Sequence, residues 1–472
     1  MLVPTIGIEV HVELKSKTKV YSDSLNAFTP EANKNITLID FGYPGTLPVL
    51  NREVIDMALK ASLALNCHIN QVMHWDRKNY FYPDLPKGYQ ITQQDTPIGY
   101  DGYIEIDVDG HKKKIGIERV HIEEDTCKSI HADTGTKLNF NRAGVPLIEI
   151  VSKPDIASGE EAMAYVETLR SILLYLGISD VKIEEGSMRC DTNVSLKEAD
   201  SDILGTKCEI KNIGSISNVK HSIDFEIKRQ QALLEQGKSI VEETRRFDDK
   251  TGKTVLMRVK ETGNDYRYFP EPDIPYVILT KEEIADAKAA LPVLPTVLKD
   301  KYRMAGINDI AIKTILANPE LCHFLEELFT TTNPVISANL LTGDVMSYLN
   351  KEKVMLQDTK LTVKNFHDLV VVLEKKEVSS KQGKEILEVL LQQDIPVEKI
   401  MSDRGMVQIS DEDTLKAMIT EVLTANPDSI TDFKAGKDRA VKFLMGQIMK
   451  ASKGQANPMM VNKLLIEQLN RY

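Results

Sequence analysis

The chain has 472 residues, a net charge of −11, 42% hydrophobic residues and 27% charged residues. That length exceeds one ordinary core and points to about two to four domains, with the composition of a soluble globular protein. The balance of charge argues against indiscriminate nucleic-acid binding, although a local basic surface remains open.

The start, MLVPTIGIEV, lacks a basic region and a small-residue cleavage site, so it reads as a first strand. In GIEVHVEL (7–14), Glu9, His11 and Glu13 alternate with Val10, Val12 and Leu14. Period two predicts a strand with one apolar and one polar face, the polar one carrying carboxylate, imidazole and carboxylate. Helical periodicity covers Val54–Asn66, then Met163–Leu176, which stops at Gly177, and Ile223–Leu234, which closes at Gly237. Strand-like pieces lie at 102–108, 114–124, 145–151, 181–184, 189–196 and 207–211. TRRFDDKTGKTVLMRVK (244–260) reads as a hairpin. The strands do not alternate with helices in a βαβ rhythm, so a largely antiparallel α+β sheet is expected over residues 1–290. LPVLPT (291–296) is a proline-punctuated junction. Beyond it strand signals vanish. A second boundary, SDRGMVQISDED (402–413), carries a capping-type start at Ser410 and Asp413. The expected division is 1–290, a helical domain over 291–405, and a C-terminal helical bundle over 406–472.

Polar strands recur. RVHIEEDTCK (119–128) contains adjacent Glu123 and Glu124, of which only one can share a face with Glu9 and His11. MRCDTNV (188–194) alternates Arg189, Asp191 and Asn193 against Met188, Cys190 and Val194. Buried carboxylates need cations, and hard oxygen ligands suit Mg²⁺ completed by water and phosphate. The alternative is a set of solvated outer faces. WDRKNYFYPDLPKGYQITQQD (75–95) gathers Arg77, Lys78 and Lys87 with Tyr80, Phe81, Tyr82 and Tyr89 on a proline-stiffened loop. Cations of this kind hold phosphates and aromatic rings stack on bases. NDYRYFPEPDIP (264–275) is a second such segment.

Several signals fail. TGKT (251–254) lacks the first glycine of a phosphate-binding loop, since position 247 is Phe247, and lies in a hairpin turn. SSK (379–381) heads a helical pattern and reads as a cap. No G-x-S-x-G elbow exists, and Cys127 carries no mark of a nucleophile. The five cysteines form no C-x-x-C pair, which fits a reducing cytoplasm.

GIEVHVEL, DRKNYFYPDLPKGYQITQ, HIEEDTCKS, FNRAGVPLIEIVSKPD, EEGSMRCDTNVS, NDYRYFPEPDIP and the tail FLMGQIMKASKGQANPMMVNKLL together resemble the B-subunit family of bacterial tRNA-dependent amidotransferases. The resemblance runs end to end. It implies a cradle akin to the glutamine synthetase catalytic fold, followed by the helical domain and the tail bundle. It implies a heterotrimer with an amidase A subunit and a small C subunit. It further implies ATP- and Mg²⁺-dependent activation of Glu-tRNA(Gln) or Asp-tRNA(Asn), then amidation with ammonia from the amidase. By the same resemblance His11 and Glu124 are the leading metal ligands, with Glu9 and Asp191 at a second cation. Lys78 and Lys87 contact phosphates or line the ammonia route. Arg77, Arg189 and Asn193 are nucleotide-binding. The chain lacks the four-cysteine insertion of some relatives, so no structural zinc is expected, and no membrane association is expected either. In the tail, Lys434, Lys437, Arg439, Lys442, Lys450 and Lys453 form a basic stretch suited to tRNA, with Phe443, Leu444 and Ile448 facing the bundle core. Two rivals remain: a self-sufficient ATP-dependent ligase with a small-molecule acceptor, and a non-catalytic tRNA-binding scaffold.

Overall fold

The alternating run at the N-terminus forms the strand Leu2–Glu13, and its two faces have different fates. Ile6, Ile8, Val10 and Val12 point to one side and are fully buried. The computed structural model describes residues 1–259, 265–406, 411–434, 439–452 and 456–471.

Leu2–Glu13 is the middle strand of a nine-stranded sheet. On one flank stand Met188–Glu198, Cys208–Lys211, Glu243–Asp248 and Lys253–Val259; on the other stand Pro146–Ser152, His111–Glu124, Gly99–Val108 and His68–Ile69. Every neighbouring pair is antiparallel except Cys208–Lys211 with Glu243–Asp248. The apolar face is covered by the helices Arg52–Ala64, Gly159–Tyr175 and Ile216–Glu235, which supply Leu59, Leu169 and Ile223 to the same core. Each starts where a side chain caps it: Asn51, Ser158 and Ser215 accept from the backbone N–H of Glu53, Glu161 and Asn218. Gly177 and Gly237, just past two of the helices, take positive φ of 67° and 70°, the left-handed conformation that ends a helix.

The expected strand at 181–184 is not formed. Val181 has φ 44°, which no strand accommodates. The Ser179 hydroxyl accepts from Val181 N–H, and the Ser187 hydroxyl from Lys182 N–H, so local turn bonds replace ladder bonds. The hairpin is present, with Glu243–Asp248 paired to Lys253–Val259 around a turn containing Gly252 at φ 65°.

The chain divides into two compact units, Met1–Val297 and Leu298–Tyr472. Within the second unit the described regular structure is helical. Ser379 caps the helix Ser380–Gln392 in a reciprocal box with Gln382, so the Ser-Ser-Lys stretch is a helix start. Ser379→Ala should lower stability by about 1 kcal/mol in urea unfolding without altering catalysis. The capping start expected at Ser410 lies outside the described residues; Asp411 instead caps Glu412–Ala425 by accepting from Thr414 N–H. The last helices share a core of Leu415, Ile419, Leu423, Leu444, Ile448, Val461 and Leu465. Phe443 does not join it and is 48% exposed. Ala440, Leu444 and Ile448 fill the buried stripe of Arg439–Ala451 at i, i+4 spacing, and Phe443 falls one position off it. Among the described residues no helix is long and apolar enough to cross a membrane.

Candidate functional site

Strand register builds the polar face. His11 stands opposite Glu149 on one neighbour and opposite Arg189 on the other, and Glu149 in turn stands opposite His121. Arg189, His11, Glu149 and His121 therefore form a row across four strands. Two residues along, Glu9 stands opposite Asp191. Antiparallel neighbours are about 5 Å apart, so such rows bring side chains into contact.

The first group is His11, Glu123 and Glu149, whose ligand atoms lie within 4.8 Å of one another. Glu149 Oε2 is 3.0 Å from His121 Nε2 and 3.6 Å from His11 Nε2. Glu123 Oε1 is 3.2 Å from His121 Nε2 and 3.7 Å from Lys78 Nζ, and it accepts from the Thr92 hydroxyl at 3.0 Å. Glu123 is 2% exposed, which is not the condition of a solvated outer face. Burial alone would raise the Glu123 and Glu149 carboxyls. The cations Lys78 and His121 outweigh it for Glu123, and His121 does so for Glu149, so both carboxyls are held below their usual range. His121 is pulled down by burial but raised overall, to about 8, by the two carboxylates. Glu123 lifts Lys78 above the usual lysine value.

The expectation that Glu124 joins His11 is corrected by the strand's parity. Glu123 shares the parity of His121 and points to the polar face; Glu124 points the other way. Both oxygens of Glu124 accept from Lys87 Nζ, at 2.6 and 2.7 Å, and one accepts from Ile91 N–H at 3.0 Å. Lys87 and Glu124 line a pocket of about 150 Å³ with Tyr21, Asp40, Tyr43 and Tyr89. Lys78 and Lys87 thus serve opposite sides of the strand His111–Glu124.

The second group is Glu9, Asp191 and Glu209, again with ligand atoms within 4.8 Å. Asn193 donates to Glu9 at 3.0 Å, and the Thr244 hydroxyl donates to Glu209 at 2.9 Å. Lys211 Nζ lies 2.6 Å from Asp191 and 3.0 Å from Glu209. Burial, then Glu149, Asp191 and Glu209, raises the Glu9 carboxyl above its usual value.

The residues expected to bind nucleotide have protein partners. Arg77 is held by Glu271 through two contacts, 2.6 and 2.9 Å, and by Asp273 at 3.3 Å, and it lies 4.4 Å over the Tyr89 ring. It therefore ties Asp76–Asn79 to the neighbouring strand Phe269–Pro270. The Glu271 side chain is fully buried, so Glu271→Ala leaves the Arg77 guanidinium with only its longer contact to Asp273 and should cost about 3 kcal/mol in urea unfolding. Arg189 pairs with Asp125 at 2.6 Å, leaving its buried Nε without a partner.

Tyr82, Tyr80, Tyr266 and Tyr268 form an edge-to-face chain with ring centroids 6.3, 6.0 and 5.8 Å apart, and Lys78 Nζ lies 5.1 Å over Tyr266. This chain joins the two aromatic segments, and Lys78 lies between it and Glu123 of the first carboxylate group. In the tail, Lys434, Arg439, Lys442 and Lys450 are exposed; Lys437 and Lys453 lie outside the described residues.

Sequence reasoning missed Glu149, His121, Glu209 and Lys211. Glu149 did leave a signal: it is the single carboxylate inside the apolar run PLIEIVS. His121 left another, being two residues from Glu123 in a strand. Both groups offer hard oxygen donors, with an imidazole in the first, a donor set suited to a divalent cation with water or phosphate completing it. The Lys211 ammonium among three carboxylates is itself a stand-in cation.

Two family descriptions match the chain: GatB/GatE catalytic domain over residues 4–285 and GatB domain over residues 323–469. A protein from Geobacillus thermodenitrificans is 49% identical over 469 residues, one from Bacillus velezensis 49% over 469, and one from Pediococcus pentosaceus 48% over 469. Each alignment covers 99% of this chain and 98% of the relative, and each relative is named as the B subunit of an aspartyl/glutamyl-tRNA(Asn/Gln) amidotransferase. Matches of that extent on both halves of the chain place it in one family: it belongs to the aspartyl/glutamyl-tRNA(Asn/Gln) amidotransferase B subunits.

Proposed function

We propose that the chain is the activating subunit of a tRNA-dependent amidotransferase. Its substrates are ATP and Glu-tRNA(Gln) or Asp-tRNA(Asn). The side-chain carboxylate attacks the γ-phosphorus and forms an acyl phosphate with loss of ADP. Ammonia from a partner amidase then displaces phosphate and leaves Gln-tRNA(Gln) or Asn-tRNA(Asn). A carboxylate is a poor electrophile, and phosphorylation gives it a leaving group. The chain works in a heterotrimer with the amidase A subunit and a small C subunit, in the cytoplasm. The cradle over 1–290 is of the glutamine synthetase type, with the helical domain at 291–405 and the tRNA-binding tail at 406–472.

The observation that carries this reading is the half-buried polar sheet face with its two carboxylate groups. Mg²⁺, when bound, neutralises phosphate charge. His11, Glu123 and Glu149 would hold one ion, and Glu9, Asp191 and Glu209 a second. The protein's own part is to orient the reactants. Lys78, fixed between Glu123 and the Tyr266 ring, offers an ammonium to phosphate. The tyrosine chain offers a surface to the unpaired 3′ nucleotides of tRNA. Lys87 and Glu124, with the pocket they line, are suited to pass and orient ammonia. The sequence carries no G-x-S-x-G nucleophile elbow, and all five cysteines are buried, so the glutaminase nucleophile is assigned to the partner amidase.

The test is mass spectrometry of aminoacyl-tRNA after reaction of the reconstituted complex with ATP, glutamine and misacylated tRNA. Amidated product that requires ATP is expected. ATP turnover without tRNA, joined to a small acceptor, would favour a self-sufficient ligase instead. Separately, the chain purified alone should release no ammonia from glutamine. Release that survives rigorous removal of the amidase would overturn the division of labour.

A further inference from the structure

One cation on the polar face has no part in the proposed activity. Lys211 lies on the strand beside Met188–Glu198, and its ammonium bridges two of the three carboxylates of the second group. The contacts, 2.6 Å to Asp191 Oδ2 and 3.0 Å to Glu209 Oε1, use oxygens that an incoming ion would also need. Neutral donors reach the same group, Asn193 on Glu9 and Thr244 on Glu209. The first group differs. There Lys78 stands back at 3.7 Å from Glu123, and His121 bridges the carboxylates.

Three carboxylates within 4.8 Å repel one another and are costly to fold without a cation. Lys211 meets that need without metal. An ammonium and a divalent ion are like charges competing for the same oxygens, so the lysine must leave for the ion to enter. Its side chain is 37% exposed, against 16% for Asp191 and 11% for Glu209, so solvent reaches it and a route outward exists. ATP phosphates on the same face give the displaced ammonium an anionic partner.

We propose that Lys211 is a resident counter-cation that closes the Glu9–Asp191–Glu209 group to divalent ions until nucleotide draws it away, an inference that rests on the metal-holding reading of this face. Lys211 is then a positioning residue: it keeps the three acids assembled when empty and makes loading of the second ion depend on ATP. A cation that only balanced charge would lack the second property.

The experiment titrates Mn²⁺ into the reconstituted complex and follows free Mn²⁺ by electron paramagnetic resonance, without nucleotide and with a non-hydrolysable ATP analogue. Wild type should load the second ion only with the analogue. Lys211→Met and Lys211→Gln should load it without nucleotide, about tenfold or more tighter than wild type, because a competing positive charge is gone. Lys211→Arg should behave as wild type. Mn²⁺ should also raise the melting temperature of Lys211→Gln more than that of wild type, a readout independent of turnover. Uncharged variants that match the wild-type titration, while wild type does take up Mn²⁺ with the analogue, would make Lys211 a simple ion pair and overturn the inference alone. A wild-type complex that takes up no Mn²⁺ even with the analogue would overturn the metal reading as well.

Discussion

Glu149→Gln in the reconstituted complex should lower formation of amidated tRNA by about a hundred- to a thousandfold, with tRNA-dependent ATP hydrolysis falling in parallel. Glutamine hydrolysis by the partner amidase should persist, because its nucleophile is on another chain. The substitution keeps the shape of the side chain and removes its charge. Glu149 is the carboxylate that His11 and His121 share, and His11 and Glu123 complete its group. Loss of that charge withdraws a hard ligand and leaves the His121 imidazolium beside an amide. Glu124→Gln is the matched control, from the neighbouring strand and pointing away from the polar face. It breaks the Lys87 pair and leaves the His11 group whole, so it should uncouple ammonia transfer from ATP use rather than abolish ATP use. Equal ATP hydrolysis in Glu149→Gln and wild type would return the His11 face to a structural ion network.

The contrast between the adjacent Glu123 and Glu124 shows what the sequence could and could not supply. Alternation in RVHIEE says that Glu123 and Glu124 face opposite ways. It does not say which of them faces His11, because that depends on the register of Pro146–Ser152, the strand between them. Register is a tertiary quantity, set by how apolar residues such as Ile148 and Ile150 fit the helices behind the sheet. The same limit explains Arg77. Its charge and loop suggested phosphate, yet its partner Glu271 is 194 residues away and was invisible to local pattern. Lys211 was hidden for a further reason: the strand Cys208–Lys211 is four residues long, too short for periodicity to expose a polar face. What local chemistry fixes was legible. The opening strand, the hairpin around Gly252 and the Ser379 cap each follow from side-chain and backbone preferences over a few residues. Phe443 marks the boundary between the two regimes. Its hydrophobicity suited the core, but a helix buries one stripe, and Leu444 already occupies that stripe.

The tail carries the second large expected effect. Removal of residues 406–472 should weaken tRNA binding by the complex at least about tenfold and flatten its dependence on salt. The helices Glu412–Ala425, Arg439–Ala451 and Pro458–Leu469 close a core from their own residues, Leu415, Ile419, Leu444, Ile448 and Leu465 among them, so the segment is a packing unit. The sheet core is built from other residues, so metal and nucleotide binding by the cradle should survive the deletion. A variant that keeps the fold sharpens the test. Arg439, Lys442 and Lys450 are exposed on one helix whose opposite stripe is buried, so glutamine at all three leaves the core untouched. Each phosphate neutralised by a side chain contributes just under one unit to the slope of log affinity against log salt. The triple substitution should therefore reduce that slope by just under about three and weaken binding roughly uniformly across tRNA sequences, since double-stranded RNA is read mainly by shape. Melting of the tail should be unchanged, which separates lost charge from lost structure. Identical affinity and identical salt slope in the triple variant, the deletion and the wild type would leave this helix face with no role beyond its contact with water.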